Sequence, residues 1–314
     1  MPIILRKINL DSKKEAYFDA MTPYGYSGPL FHSNIDSSDL KEFWQALDTW
    51  YSENNVITEF IRFNLTDNHK YYTGTLLPTL KNVKGTITNF DDMWLNLKQK
   101  VRNNYRKAQK HDLKSVIYSN IDDKRIVDEF YKIFLKTMVR HNAKGDYSYS
   151  KVYFQNLIYN YPEKIHIALV YKNDLPISTE FIIEDEGTIY SYLGGTLSDY
   201  FAFRPNDFLK IEVLKWSVLH NKKYYVLGGG RNNNDSLYYY KKAFFPKDSD
   251  AIFYTGRKII NHDIYKTLLK KVGIDSNITN SHLTDSSSYF PRYNQDYYKE
   301  IQVSDYLHLL TTEK

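Results

Sequence analysis

Apolar residues recur along this chain with two spacings. Leu40, Phe43, Trp44 and Leu47 fall on one face of a helix, with Ser37, Ser38 and Asp39 ahead of them as capping side chains. A short helix is also predicted over Asp11 to Met21, and strands over Val56 to Leu65 and Thr86 to Phe90. Trp94, Leu97, Val101, Tyr105 and Ala108 make a helical stripe, with Asp91 or Asp92 as its N-cap. A strand over Ser115 to Tyr118 follows.

From about Asp122 the pattern sharpens. Ile126, Phe130, Phe134 and Met138 predict a long helix, and a second helix covers about Lys151 to Tyr159. The run HIALVYKNDLPISTEFIIEDEGTIYSYLGGT predicts three antiparallel strands turning at KNDL and EDEG. FLKIEVLKWSVLH is apolar around most of its circumference, which predicts a buried helix. KYYVLGG and AIFYTGRKII predict strands, Ile264 to Val272 a helix, and Ser276 to Ser288 a loop. The expected class is α/β (α+β), with mixed central sheets flanked by helices. The expected division is an N-terminal domain over 1–120, a C-terminal domain over 121–272, and a tail over 273–314 packing back on the body.

The 314 residues are 42% apolar, enough for real cores. A net charge of +5 permits an anionic ligand without requiring nucleic acid. With no cysteine, the chain has no disulfide, thiolate zinc site or thiol nucleophile. No metal site is expected, because no histidine falls at a metal-binding spacing with acids. The N-terminus lacks a signal-peptide pattern and no apolar run is long enough to span a bilayer, so a cytoplasmic protein is expected. The 30 tyrosines suit half-buried sheets and polar clefts, although coding bias produces the same enrichment.

Several groups are candidates for chemistry, each with a plain structural alternative. Gly228, Gly229 and Gly230 either let backbone approach a ligand or form a strand-end turn; no Lys-Ser/Thr follows, so they are not a P-loop. Arg231 and Asp235 flank them, Arg231 as a phosphate ligand or a surface residue. Arg204 precedes Pro205 and Asn206, which start a helix whose N-terminus is an anion site or simply a capped end. Arg140 and His141 end a helix, where a cation binds an anionic acceptor or only answers the dipole. Lys98, Arg102, Arg106 and Lys110 share one helix flank, and contact phosphates or water; Arg102 and Arg106 are the phosphate-binding candidates. Tyr24 and Tyr26 line an acceptor pocket or pack a loop.

YSYLGGT, RPNDFLKIEVLKW, YYVLGGG and SLYYYKKAFF together resemble the C-terminal half of the Fem peptidoglycan-bridge aminoacyltransferases, in the FemAB-like branch of the GNAT acyltransferases. The closing element is Leu237, Tyr240, Lys241 and Phe244, with Tyr where the family pattern has its first Phe. RNNYRKAQKHDL and TMVRHNAKGDYSYSKVYFQNL resemble helices of the same group, and PYGYSGP a loop of members in cell-surface polysaccharide pathways.

The resemblance implies two GNAT-like domains packed side by side, with a substrate cleft at their junction, and acyl transfer to an amine by direct attack. It implies Lys241 as the oxyanion donor and a strand Glu, here Glu180, as the base. Tyr240 joins the substrate-binding group. No resident cofactor is expected: the co-substrate is an acyl-CoA or an aminoacyl-tRNA, and the acceptor a nucleotide- or lipid-linked sugar. The chain lacks the usual pyrophosphate-loop pattern of acetyl-CoA enzymes and the helical hairpin through which larger Fem proteins meet tRNA. A rival of another class is a non-enzymatic nucleic-acid-binding module built on the basic helix and tyrosines.

Overall fold

Capping side chains set where most helices of this computed structural model begin, which describes residues 1–8, 16–32, 34–142, 149–275, 279–285 and 288–294. In chain order the elements are β1 (Ile4–Ile8), β2 (Tyr17–Met21), α1 (Ser37–Glu53), β3 (Val56–Arg62), β4 (Thr75–Thr86), α2 (Phe90–Asn96), α3 (Gln99–Ala108), β5 (Lys114–Ser119), α4 (Lys124–Arg140) and α5 (Lys151–Asn160). There follow β6 (Ile165–Lys172), β7 (Leu175–Asp185), β8 (Thr188–Thr196), α6 (Pro205–Leu219), β9 (Tyr224–Gly228), α7 (Ser236–Lys242), β10 (Ala251–Ile259), α8 (His262–Lys271) and α9 (Thr279–Thr284). Asp36 caps α1, accepting from the backbone N–H of Ser38 and Asp39 at 2.8 and 3.0 Å. Asn89, rather than Asp91 or Asp92, caps α2. An Asx side chain one step ahead of the acidic turn takes the orphan N–H, and the acids then face the positive helix end.

Among the described residues two compact units divide the chain: Met1–Leu80 with residues 252–294, and Lys81–Ala251. The cuts at 120 and 272 expected from sequence fall elsewhere. β10 returns late in the chain to pair antiparallel with β3, and β5 pairs with β6, so neither expected boundary separates sheets. Much of the expected tail lies outside the described residues.

The first unit carries the strand order β1-β2-β3-β10-β4, with β2 parallel to β3. Tyr17 to Met21, expected to end a helix, is strand β2; Asp11 to Glu15 of that expected helix lie outside the described residues. β2 places Asp19 where it takes the Arg6 guanidinium and the Thr58 hydroxyl. Trp44, Phe63 and Tyr72 pack edge to face in one of its cores. The strand expected at Thr86 to Phe90 instead ends at Thr86; Pro78 and the polar residues of β4 mask its period in the sequence. Of the loop expected over Ser276 to Ser288, residues 279–284 are helical.

The second unit is a mixed sheet in the order β4-β9-β8-β7-β6-β5, in which β8 and β9 are the parallel pair. The three strands predicted from HIALVYKNDL onward form the β6-β7-β8 meander. One face of the sheet is covered by α3 and α6 through Val101, Tyr105, Leu209, Val213 and Leu214. The other is covered by α4 and α5 through an aromatic cluster of Phe130, Phe134, Phe154 and Phe181. The helix predicted after Asp91 is broken between α2 and α3, where Leu97 and Lys98 are extended. Arg102 explains the break. Its guanidinium donates to the carbonyls of Trp94, Leu95 and Leu97 at 3.3, 2.8 and 2.8 Å, satisfying the exposed end of α2.

Phe130 is fully buried against three other rings. Phe130→Ala is expected to destabilise this unit by about 3–5 kcal/mol, read as a fall in its denaturant midpoint.

Candidate active site

The parallel pair β8–β9 is formed only over Thr188–Tyr190 and Tyr224–Val226. Beyond it β8 runs on to Thr196 against β7 and β9 to Gly228 against β4, without pairing to each other. Two strands that part in this way leave backbone N–H and C=O groups facing a gap, which suits an extended, amide-bearing ligand. A cavity of about 540 Å³ lies here, within the second unit, lined by β8, the start of α6 and the end of α7. Its size is that of a small-molecule site.

At its floor is a buried ion pair. Glu180, on β7 and 2% exposed, accepts from Lys210 Nζ on α6 at 2.8 Å and from the Tyr225 hydroxyl on β9 at 2.5 Å. Lys210 donates again to Ser191 Oγ on β8 at 2.7 Å. Burial and the Glu180 carboxylate push the Tyr225 phenol well above its ordinary range, so Tyr225 acts as a donor. Glu180 lies on the face of β7 that meets α6. Lys210, Tyr225 and Ser191 went unrecognised because the sequence offers no spacing that ties them together. The one available signal was a lysine among the apolar residues of a helix predicted to be buried.

Lys241 lines the cavity. The segment expected to be a strand or turn is the short helix α7, begun by Asp235, whose carboxylate accepts from Tyr238 N at 2.7 Å. Lys241 Nζ donates to the Gly229 carbonyl just past β9 at 2.6 Å. Burial, and then the positive charge of Lys210, lower its ammonium to about 8, against the opposing pull of Glu180 and Asp235. Gly228 has φ +77°, and a Cβ on Gly230 would sit 2.0 Å from the Asp235 carboxylate. The glycines therefore shape the turn that brings the Gly229 carbonyl to Lys241.

Arg140, Arg204 and Tyr240 line the same cavity. Arg140 donates to the Thr196 carbonyl at 2.8 Å and lies over the Phe201 ring. Next to it His141 also lines the cavity; burial and the charges of Arg140 and Arg231 depress its pKa. Arg204 itself, rather than Asn206 or Asp207, is the N-cap of α6, in the left-handed region at φ +59°. Asn206 reaches across to give its amide to the Tyr240 hydroxyl at 2.9 Å.

Other expected residues have different surroundings. The Asp235 carboxylate is taken by the backbone N–H of Arg231, Asn232 and Tyr238, which holds it below the usual carboxylate range. It is a loop and helix anchor, and Arg231 is exposed beside it. Arg102 is engaged by the α2 carbonyls and Arg106 lies over the Trp94 ring, neither of them in the cavity wall. Tyr24 and Tyr26 belong to the first unit, Tyr24 beneath Arg62 and Tyr26 edge-on to Phe253. Among the described residues no cluster of three His, Asp or Glu side chains could hold a metal, and no helix is long and apolar enough to cross a membrane.

Residues 96–242 match the family described as acetyltransferase (GNAT) domain, a span that contains every residue lining the cavity. Among solved structures the chain is similar to FemX, with 13% identity and a TM-score of 0.56, covering 85% of this chain and 90% of that one. It is similar to L-PGS from Bacillus licheniformis, with 12% identity and a TM-score of 0.55 over 83% and 82% of the two chains. The C-terminal domain (DUF2156) of a putative lysylphosphatidylglycerol synthetase from Agrobacterium fabrum gives 11% and 0.53 over 81% and 83%. At such identities the likeness is one of fold. A comparison with curated proteins finds no match.

Removing one partner of the buried pair leaves the other charge uncompensated. Lys210→Met is expected to destabilise the second unit by about 3–5 kcal/mol in denaturant titrations, with Glu180→Gln/Lys210→Met recovering much of the loss.

Proposed function

We propose that this acyltransferase, a GNAT-domain protein with the FemAB-like fold, moves an acyl group from a CoA thioester to an amine on a cell-envelope or polysaccharide precursor. The observation that carries this reading is Lys241: a partly buried ammonium, held by the Gly229 carbonyl in the wall of a cavity where two parallel strands part. Amide formation by direct attack needs no covalent nucleophile. It needs a deprotonated amine, an aligned carbonyl and positive charge for the developing oxyanion. Lys241 supplies the charge. Burial is the main cause that lowers its ammonium, and a poorly solvated donor stabilises an oxyanion more strongly than one in water.

The rest of the cavity supports the same reading. The free edges of β8 and β9 offer pairing to the amide groups of an extended donor arm. Arg140 and Arg204 offer charge to phosphates, and Tyr240 a polar aromatic wall. Glu180 is less suited to take the amine proton than the sequence implied, because both its oxygens are occupied by Lys210 and Tyr225. Its role in this reading is to hold α6, β7 and β9 together around the cavity. The envelope assignment draws on the likeness to FemX and to structures named for lysylphosphatidylglycerol synthesis.

An aminoacyl-tRNA donor is the second reading, favoured by the FemX-like fold and by the Arg140 and Arg204 pair, which would serve tRNA phosphates equally. The two separate cleanly: RNase abolishes transfer from a tRNA donor and leaves transfer from an acyl-CoA untouched. The GNAT match weighs against a non-enzymatic nucleic-acid module.

CoA release is measurable with a thiol reagent, and the cysteine-free chain adds no background. Across a panel of acyl-CoAs and amino-sugar acceptors, Lys241→Ala is expected to lower turnover by about 100-fold or more with an unchanged melting temperature. Turnover close to wild type in that variant would remove Lys241 from the chemistry. Because the folded-state pKa is depressed to about 8, the charged form is lost as pH rises through that value. The wild-type rate is therefore expected to fall above about pH 8, and that limb to be absent in Lys241→Ala.

A further inference from the structure

One acid in the cavity has no task in the scheme above. Asp207, the third residue of α6, lines the cavity and is 7% exposed. Its Oδ1 accepts from Asn104 Nδ2 on α3 at 3.1 Å. Among the described residues Asn104 is its one side-chain hydrogen-bond donor, and no lysine or arginine forms an ion pair with it. Glu180, the other acid of the cavity, has both oxygens engaged. The residue before Asp207 bonds to Tyr240, and Tyr240 precedes Lys241 on α7. Asp207 and Lys241 thus line one cavity, linked through Asn206 and Tyr240.

We propose that Asp207 accepts the proton of the acceptor's amine in this cavity, and so makes its own surroundings a site for an ammonium group. The inference rests on the reading of the cavity as an acyl-transfer site. A buried carboxylate beside the helix N-terminus repels a phosphate placed there and attracts an amine. The acceptor ammonium passes one proton to Asp207, and the nitrogen lone pair forms the C–N bond to the donor carbonyl carbon. The carbonyl pair moves onto oxygen, against the Lys241 ammonium. Collapse re-forms the C=O bond and expels the donor's leaving group, the CoA thiolate. That group takes the second nitrogen proton, and Asp207 returns its proton to solvent.

Burial raises the Asp207 pKa, opposed by the Asn104 hydrogen bond and by the charge of Arg204 on its own turn and of Lys100 on α3; from α7 it faces the neutral Tyr240 phenol. A raised carboxyl is a better proton acceptor for an amine, and it is lost as a base when pH falls through its own pKa. The acid limb of the rate is therefore displaced upward from the ordinary carboxylate value of about 3.9.

The test compares wild type and Asp207→Asn across about pH 4 to 9, reading thiol release from an acyl-CoA with and without an amine acceptor. Asp207→Asn is expected to lower acceptor-dependent release by about 100-fold or more and to lose the acid limb. Asp207→Glu, which keeps the carboxylate, is expected to restore part of the rate. An Asn variant that keeps the acid limb and a rate within about twofold of wild type overturns the assignment. Should the Asn variant not fold, the wild-type profile decides: an acid limb lying at the ordinary carboxylate value overturns it. Failure of wild type to use either an acyl-CoA or an aminoacyl-tRNA would instead defeat the acyl-transfer reading on which the role depends.

Discussion

The buried contact of Glu180 with Lys210 and Tyr225 is the interaction on which the second unit's site depends. It joins three elements that are distant in sequence, β7, α6 and β9, and Ser191 adds β8. A charge pair taken out of water is costly unless its remaining hydrogen-bonding capacity is met, and here it is met on both sides. That requirement fixes α6 against the strands at the place where β8 and β9 part. The same pair influences the chemistry at a distance, because the positive charge of Lys210 is one of the causes that lower the Lys241 ammonium.

The first unit contains a similar device. Glu59 on β3 is fully buried and accepts from the Tyr72 hydroxyl at 2.7 Å, with Lys258 of β10 at 3.6 Å and also bound to Asp48. Burial holds its carboxyl above the ordinary range despite Lys258, Tyr72 and Tyr51. Each unit thus builds a strand Glu, a Lys and a Tyr into its interior. In the second unit the device borders an open cavity, whereas in the first the surrounding rings of Trp44, Phe63 and Tyr72 pack tightly. Tyr72 and Tyr225 donate to the buried acids Glu59 and Glu180, and Tyr171 to the half-buried Glu129. That gives the tyrosine-rich composition a structural use.

Charge in the cavity is divided between two kinds of group. Arg140, which donates to the Thr196 carbonyl, and Arg204 supply the cavity's arginine charge, while Lys241 and Asp207 are drawn toward neutrality by burial. An environment that moves an acid up and a base down brings both near the pH at which proton transfer is useful. The basic flank of α3, which looked like a phosphate surface, is instead used locally: Arg102 closes the end of α2 and Arg106 covers Trp94.

Local pattern determined a good deal. The β6-β7-β8 meander, the α4 and α5 pair and the apolar helix α6 follow from period and turn chemistry, because each is a short-range choice between spacings of two and of 3.6 residues. Short motifs ending in Leu237, Tyr240 and Lys241 were enough to point to the GNAT acyltransferases and to Lys241. What the sequence could not contain was the set of partners. Glu180 finds Lys210 across 30 positions and Tyr225 across 45, and β10 crosses most of the chain to reach β3. β4 was hidden by its polar residues, and β2 was mistaken for a helix end, because strands are stabilised by neighbours that a local window does not include. Tertiary structure alone decided that Asp235 anchors a loop, that Glu180 is already engaged, and that Asp207 is the acid left open in the cavity. Burial and pairing are properties of the assembled sheet and helices, and no single segment carries them.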